Sequence, residues 1–125
     1  MNAILNQYKV QFFTLVGFAL GNNITSINDL LSQIIGDHYT IYDANSLLNG
    51  IDQVLNNTIP IIEFDTPSLQ VAVVNSNITK LYEDFYSYEN DNTIVPYYSL
   101  PTQDFQIIVQ AWRNYLVQSP IKNKE

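Results

Sequence analysis

The chain has 125 residues, of which 46% are hydrophobic and 14% charged, and it contains no cysteine. This length fits one domain with a single core, and the composition is too apolar for a disordered acidic tail. The lack of cysteine excludes disulfide frameworks, thiol nucleophiles and thiolate zinc sites. The formal net charge of -7 excludes the basic surface that nucleic-acid binding needs.

The charged residues are unevenly distributed along the chain. No lysine or arginine lies between Lys9 and Lys80, and His38 is the only possible counter-charge in that interval. The same interval contains these carboxylates: Asp29, Asp37, Asp43, Asp52, Glu63 and Asp65. Because neighbours in sequence cannot neutralise them, we expect a negative field that repels nucleic acid and anionic lipid and attracts cationic partners.

The first predicted element is a buried helix over residues 3–20, capped by Asn2 and ended by Gly21. A strand over residues 10–16 is the alternative, since apolar and polar side chains also alternate there and the aromatic content suits a sheet. Polar residues interrupt this apolar stretch, which is too short to span a bilayer and is a poor signal peptide. We therefore expect a cytoplasmic protein with no membrane partner.

Two further helices are predicted in the first half of the chain. Ser26 begins one that continues to Gly36, and Asp43 or Asn45 caps another that closes at Asn56. Their apolar residues recur at three- and four-residue steps, which is typical of a helix with one buried face.

The segment after residue 65 admits two interpretations. Thr66 and Pro67 resemble a helix N-terminus, and the apolar spacing that follows predicts a helix through Phe85. The alternative is a strand over residues 69–74, where apolar residues alternate, followed by a shorter helix from Asn77.

Two segments on either side of this region are predicted to be extended because they contain prolines. Residues 59–64 include Pro60, and residues 94–101 include two prolines. Thr102 then caps a final helix that ends before Pro120. Its apolar stripe is formed by Phe105, Ile108, Val109, Trp112, Tyr115 and Leu116.

These elements predict a mainly α fold, a single-domain helical bundle with short extended segments over residues 1–118. Residues 119–125 are expected to fray, because they are short, polar and begin with a Ser-Pro break. The alternative is an α+β fold with a small sheet built from residues 10–16, 59–64, 69–74 and 94–98.

No catalytic or metal-binding pattern stands out. His38 lies beside Asp37, a pairing able to orient an imidazole, but no second histidine, cysteine or Gly-rich nucleophile turn accompanies it. Adjacent acids such as Glu83 and Asp84 do not face each other on a helix as two glycosidase carboxylates must, and no acidic run has calcium-loop spacing. The scattered glycines form no phosphate-binding loop. We therefore expect no enzyme activity, cofactor or metal.

The segment from Lys80 to Asp91 mixes tyrosines with carboxylates. If Leu81 and Phe85 face the core, the side chains left toward water are Glu83, Asp84, Tyr86 and Tyr88. Tyrosine is a usual interface anchor, and carboxylates beside it pair with arginine and speed association. The alternative is a solvated helix face with partly buried tyrosines. The predicted partner-binding residues are Tyr82, Glu83, Asp84, Tyr86, Tyr88, Glu89 and Asp91, with Asp65 and Glu63 as additions.

The C-terminal third also resembles a known group of proteins. Phe85-Tyr-Ser-Tyr88, then Pro96-Tyr-Tyr-Ser-Leu-Pro101, then Phe105 to Trp112 is similar to the tail of small immunity proteins paired with secreted or contact-delivered bacterial toxins. In those tails an extended Leu-Pro segment leads into an amphipathic helix that bears a tryptophan. The resemblance carries over no individual binding residue.

The resemblance implies an acidic cytoplasmic inhibitor of a cognate toxin domain, frequently a basic nuclease. The charge of the chain points the same way, because carboxylates presented in place of phosphates give fast encounter and occlude the active site. The expected function is therefore immunity of the contact-dependent growth inhibition type, by binding alone. The alternatives are a small acidic oligomerising or adaptor protein and an enzyme built around His38.

Overall fold

The computed structural model describes residues 2–17 and 20–121, which form an α+β fold. Within these residues the strands make two antiparallel sheets, one of two strands and one of four. The helices are α1 (Ala3–Gln7), α2 (Asp29–Gly36), α3 (Ile41–Leu55), α4 (Phe85–Asn90) and α5 (Thr102–Gln118). The strands are β1 (Gln11–Leu15), β2 (Gly21–Thr25), β3 (Ile61–Asp65), β4 (Val71–Asn75), β5 (Ile78–Tyr82) and β6 (Tyr98–Pro101).

The four-stranded sheet has the order β3-β4-β5-β6, and each neighbouring pair is antiparallel. One face, here called the inner face, packs against α3 and α5. Because side chains alternate along a strand, Ala72 and Val74 of β4 enter the main core, whereas Val71 and Val73 enter a second cluster on the outer face. The main core also contains the fully buried Trp112 of α5.

The two-stranded sheet β1-β2, here called the ribbon, packs on the C-terminal helix. The ring of Phe12 stacks on Tyr115 at a centroid distance of 5.3 Å. At the other strand, Asn22 accepts a hydrogen bond from the Ser119 hydroxyl at 2.7 Å, and its Nδ2 donates to the carbonyl of Ile121 at 3.0 Å. Ser119 and Ile121, at the start of the segment expected to fray, therefore contact the ribbon. Residues 122–125 of that segment lie outside the described residues.

The prediction of a mainly helical bundle is wrong, and the first reason lies in residues 3–20. Asn2 does cap a helix, accepting a hydrogen bond from the Ile4 amide at 2.7 Å, but that helix ends at Gln7. Lys9 has a φ of 54°, which turns the chain into β1. A strand within residues 10–16 is confirmed as β1, but it pairs with β2, which was not predicted, in a separate sheet and not with the other predicted strands. Residues 18 and 19 of the predicted helix lie outside the described residues.

The second reason lies in the segment that follows Thr66. Instead of capping a helix, Thr66 closes a turn in which its carbonyl accepts from the Leu69 amide at 2.9 Å. Leu69 adopts a φ of 62°, and the chain returns as β4. All of Val71–Val74 is buried because helices cover both faces of this strand. Its apolar residues are therefore continuous and do not alternate with polar ones, so their spacing also fitted a helix. The alternative of a strand here is confirmed as β4, although it begins at Val71 and not at residue 69, and the helix expected from Asn77 is instead the strand β5.

The helices α2, α3 and α5 are confirmed, although their starts differ from the prediction. Asn28 and Thr40 cap α2 and α3, in place of Ser26 and of Asp43 or Asn45. Thr102 is the first residue of α5 rather than its cap, because its hydroxyl donates to the Asn75 carbonyl at 2.6 Å. The extended segments hold β3 and β6, with β6 later than the expected residues 94–98. None of the described helices is long and apolar enough to cross a bilayer.

Candidate partner-binding surface

The short helix α4 lies on the outer face of the four-stranded sheet. The Phe85 amide donates to the Leu69 carbonyl at 2.7 Å, which ties the start of α4 to the turn between β3 and β4. One turn later Tyr88 is buried against Val71 and Val73 of β4. The remaining face of α4 is left toward solvent.

This arrangement gathers two acidic segments that are distant in sequence. Side chains at alternate positions of β3 are exposed, which places Glu63 and Asp65 on the outer face. The Tyr88 hydroxyl donates to Glu63 Oε2 at 3.0 Å and so joins α4 to β3. The exposed carboxylates of β3, of α4 and of its flanking residues, here called the acidic surface, are Glu63, Asp65, Glu83, Asp84, Glu89 and Asp91.

Basic side chains are sparse beside the acidic surface. Lys80 points to the same face of the sheet, since it pairs with Val73, which in turn pairs with Glu63. Arg113 lies in the helical layer on the inner face, where its Nε donates to Asn45 at 3.0 Å. Within the described residues Lys9 is the third base, and it precedes β1 in the other sheet. The acidic surface therefore keeps a strongly negative balance.

Three of its carboxylates also hold local structure. Asp84 caps α4, accepting from the Tyr86 amide and the Ser87 hydroxyl, both at 3.0 Å. Asp91 accepts from the hydroxyl of Thr93 at 2.6 Å and from its amide at 3.0 Å, and these bonds lower the pKa of Asp91. Glu63 accepts from Tyr88, as described above. The acids without such a role among the described residues are Asp65, Glu83 and Glu89.

The tyrosines of the predicted surface divide into buried and exposed residues. Tyr86 is 58% exposed, whereas Tyr82 and Tyr88 retain only 4% and 8% of their surface. The prediction that Tyr88 faces water is therefore wrong, and Tyr82 is equally inaccessible. The centroids of the two rings are 4.7 Å apart, because α4 covers the apolar outer face of β4 and β5. Burial raises the pKa of both, that of Tyr88 to about 12 with a further contribution from Glu63.

The structure adds an apolar rim that the sequence reasoning missed. Val95 and Tyr97 are exposed and line a cleft of about 330 Å³ together with Glu83 and Ser87. The Tyr97 amide donates to the Leu81 carbonyl at 2.9 Å, which holds the segment before β6 against the sheet. The signal in the sequence was Pro96, since proline favours an extended path at the edge of the fold over a helix.

His38 and Asp37 make no hydrogen bond to each other within the described residues. Nδ1 of His38 donates to the Ile34 carbonyl at 2.8 Å. The imidazole ring lies edge-on to the ring of Phe64, with 6.3 Å between the ring centroids. The Asp37 Oδ2 atom is buried and accepts no hydrogen bond from residues 2–17 or 20–121. The same residues contain no group of three or more histidine or acidic side chains placed to hold a metal ion.

Comparisons with protein-family models, with characterised proteins and with solved structures found no match for this chain. Its function therefore has to be inferred from the residues and the geometry described above.

Proposed function

We propose that this chain is a cytoplasmic immunity protein, which binds a cognate basic toxin domain through the acidic surface and neutralises it. The observation that carries the proposal is the bond between Tyr88 and Glu63, because it brings the acids of β3 beside those of α4. Acidic side chains that are far apart in sequence then act on one partner surface.

The proposed mechanism is electrostatic occlusion without chemistry. A toxin site that binds phosphates presents lysine and arginine, and the carboxylates of the acidic surface attract these groups and pair with them. Tyr86 and Tyr97 provide exposed aromatic area beside the charges, which suits anchoring residues at a protein interface. A nuclease is the toxin class that this charge pattern fits best. The mechanism requires no cofactor.

The test uses the protein encoded next to this chain as the partner. Expressed together, the chain should protect cells from that protein, and the purified pair should associate more slowly as salt is added. We expect Glu83→Lys to slow association by on the order of tenfold at low salt, because rim charges act mainly on the association rate. Glu83 is the appropriate position because its carboxylate has no structural role in the described residues.

The matched control is Asp29→Lys, which changes the net charge equally at an exposed acid on α2. It should leave the association rate near that of the unmodified chain. If neighbour and chain do not bind, the immunity proposal is wrong. If both variants slow association equally, the interface does not lie on the acidic surface.

A further inference from the structure

The cleft between α4 and the segment before β6 has a negative lining. It encloses about 330 Å³, and the residues around it include Tyr82, Glu83, Asp84, Ile94, Val95 and Tyr97. The charged side chains among its described lining residues are both carboxylates, and none is basic. The charge of the cleft therefore favours a cationic occupant and disfavours a second copy of this acidic chain.

The two carboxylates of the cleft differ in how firmly they are held. Glu83 is exposed and forms no hydrogen bond or ion pair within residues 2–17 and 20–121. Asp84 is fixed, because one of its oxygens accepts from the Tyr86 amide and the other from the Ser87 hydroxyl, both at 3.0 Å. Each carboxylate oxygen has two lone pairs, so Asp84 is able to accept further hydrogen bonds. The cleft thus offers a cation one free carboxylate and one fixed carboxylate.

Tyr82 adds an acceptor that the rest of the fold does not use. This side chain retains only 4% of its surface, yet its hydroxyl forms no hydrogen bond within the described part of the chain. Buried tyrosine hydroxyl groups usually have a partner. Because Tyr82 lines the cleft, the cleft is the side from which such a partner comes. The hydroxyl is able to accept a hydrogen bond from a cationic donor, as the neighbouring carboxylates are.

The walls of the cleft favour a guanidinium over an ammonium group. Val95 and Tyr97 are 88% and 54% exposed, so apolar and aromatic surface lies beside the carboxylates. An arginine side chain lays its methylene stem along apolar surface and stacks its planar head on an aromatic ring. Its five N–H donors also suit acceptors on three separate side chains, whereas lysine has three donors and a more strongly hydrated charge.

We propose that the cleft receives the side chain of an arginine from the partner protein, whose guanidinium binds Tyr82, Glu83 and Asp84. This inference rests on the proposed function, because the arginine belongs to the basic domain that the acidic surface binds. Glu83 and Asp84 belong to both the acidic surface and the cleft, so the two are continuous. The inference adds one defined anchor to a surface that otherwise acts through its overall charge.

Nuclear magnetic resonance of the full chain tests the cleft without the partner. The probes are N-acetyl-arginine amide and N-acetyl-lysine amide, which carry the same charge. The arginine compound should shift the backbone amide signals of Glu83, Ser87 and Tyr97 and saturate at roughly millimolar concentration. The lysine compound should bind about three- to fivefold more weakly, because its ammonium group does not stack on the aromatic wall.

Tyr82→Phe isolates the contribution of the hydroxyl. It should weaken binding of the arginine compound by about fivefold, because a hydrogen bond from the guanidinium is lost. It should leave the midpoint of urea denaturation unchanged, since this hydroxyl has no partner within the described residues to lose. The control is Tyr42→Phe, the same change at a 66% exposed tyrosine of α3. This control should bind the arginine compound as the unmodified chain does.

Three results with the compounds would overturn the arginine anchor. They are equal binding of the arginine and lysine compounds, no shift at the cleft with either compound, and unchanged arginine binding in Tyr82→Phe. A lower urea midpoint with unchanged binding would give the hydroxyl of Tyr82 a structural role instead.

Binding kinetics with the protein encoded next to this chain separate the anchor from the proposed function. Tyr82→Phe should raise the dissociation rate of the pair by about fivefold and leave the association rate unchanged, whereas Glu83→Lys slows association. If the pair forms and Tyr82→Phe dissociates at the unmodified rate, the anchor is wrong and the proposed function is retained. If no pair forms, the proposed function is wrong, while the preference of the cleft for arginine is measured independently with the compounds.

Discussion

Tyr88 on α4 donates a hydrogen bond of 3.0 Å to Glu63 on β3, which lies 25 positions earlier in the chain. The tyrosine ring is buried against Tyr82, while its hydroxyl reaches the exposed carboxylate at the edge of the sheet. One side chain thus covers the outer face of the sheet and sets the position of an acid on the candidate surface. Its ring and its hydroxyl therefore make separable contributions.

Tyr88→Phe should lower the free energy of unfolding by about 1 kcal/mol, because it removes the hydrogen bond but keeps the buried ring. The loss is modest since Glu63 is exposed and regains water as a partner. Urea denaturation measures this change. Tyr86→Phe is the control. Because the Tyr86 side chain is 58% exposed, this change should lower the free energy of unfolding only slightly. Equal losses in the two variants would mean that the bond to Glu63 contributes nothing.

Four tyrosines predict a loss of stability in alkaline solution. Burial raises the pKa of Tyr8, Tyr82, Tyr88 and Tyr98 above 10.0, that of Tyr88 to about 12, and Tyr8 also donates to Asp104 at 2.6 Å. An unfolded chain loses these protons near pH 10, whereas the folded chain still holds them. Unfolding then releases protons, so stability is intact below about pH 10 and falls as pH rises toward about 12.

Melting temperatures recorded between about pH 9 and 12 measure this loss, with phenolate absorbance reporting ionisation. Tyr88→Phe should flatten the decline, since it removes one of the linked protons. A folded chain in which all nine tyrosines ionise in a single step near pH 10 would contradict the prediction.

Helices with one buried face were predictable from the sequence. In α5 the residues Phe105, Ile108, Val109, Trp112 and Leu116 are all buried, as their spacing indicated. Helix starts were less predictable, because the hydroxyl of a residue such as Thr102 can bond either to an amide of its own helix or to groups elsewhere in the fold. It bonds to Asn75 and Thr79 across the core rather than to its own helix, and only the tertiary fold brings those groups within reach.

Strands and the candidate site were harder to predict, because their signals depend on contacts distant in sequence. β4 is buried on both faces, so Val71–Val74 lacks the alternation that marks a half-exposed strand. The acids of the candidate surface were identified from the sequence, and all six of them are exposed as expected. Partly buried tyrosines were the alternative prediction, but the sequence could not indicate that Tyr82 and Tyr88 are the buried ones, because this depends on α4 folding back over β4 and β5.

Asp84 should stabilise the protein through its capping oxygens more than through its charge. Asp84→Ala removes the acceptor for the Tyr86 amide and the Ser87 hydroxyl, and it should cost about 1 kcal/mol of unfolding free energy. Asp84→Asn keeps an acceptor at the cap and should cost only a few tenths of a kcal/mol. Thermal denaturation of the two variants makes the comparison. If Asp84→Asn cost as much unfolding free energy as Asp84→Ala, the negative charge of Asp84 would itself stabilise α4. Asp84→Asn could then not be used to measure the contribution of that charge to partner binding without also destabilising α4.

Gly50 should be required for the close approach of α3 to β3. In an exposed helix interior alanine is favoured over glycine by about 1 kcal/mol, yet a Cβ at Gly50 would overlap the ring of Phe64 and lie 3.0 Å from Ile62 Cδ1. Overpacking of this kind costs about 1–3 kcal/mol, so we expect Gly50→Ala to be destabilising by about 1 kcal/mol.

A double-mutant cycle tests the cause of that loss. Combining Gly50→Ala with Phe64→Leu should recover stability, because the smaller side chain makes room for the new methyl group. Asn49→Ala, at the exposed neighbouring position of α3, serves as the control for helix propensity alone. Should Gly50→Ala instead stabilise the chain as much as Asn49→Ala does, α3 and β3 do not approach each other closely enough to require glycine.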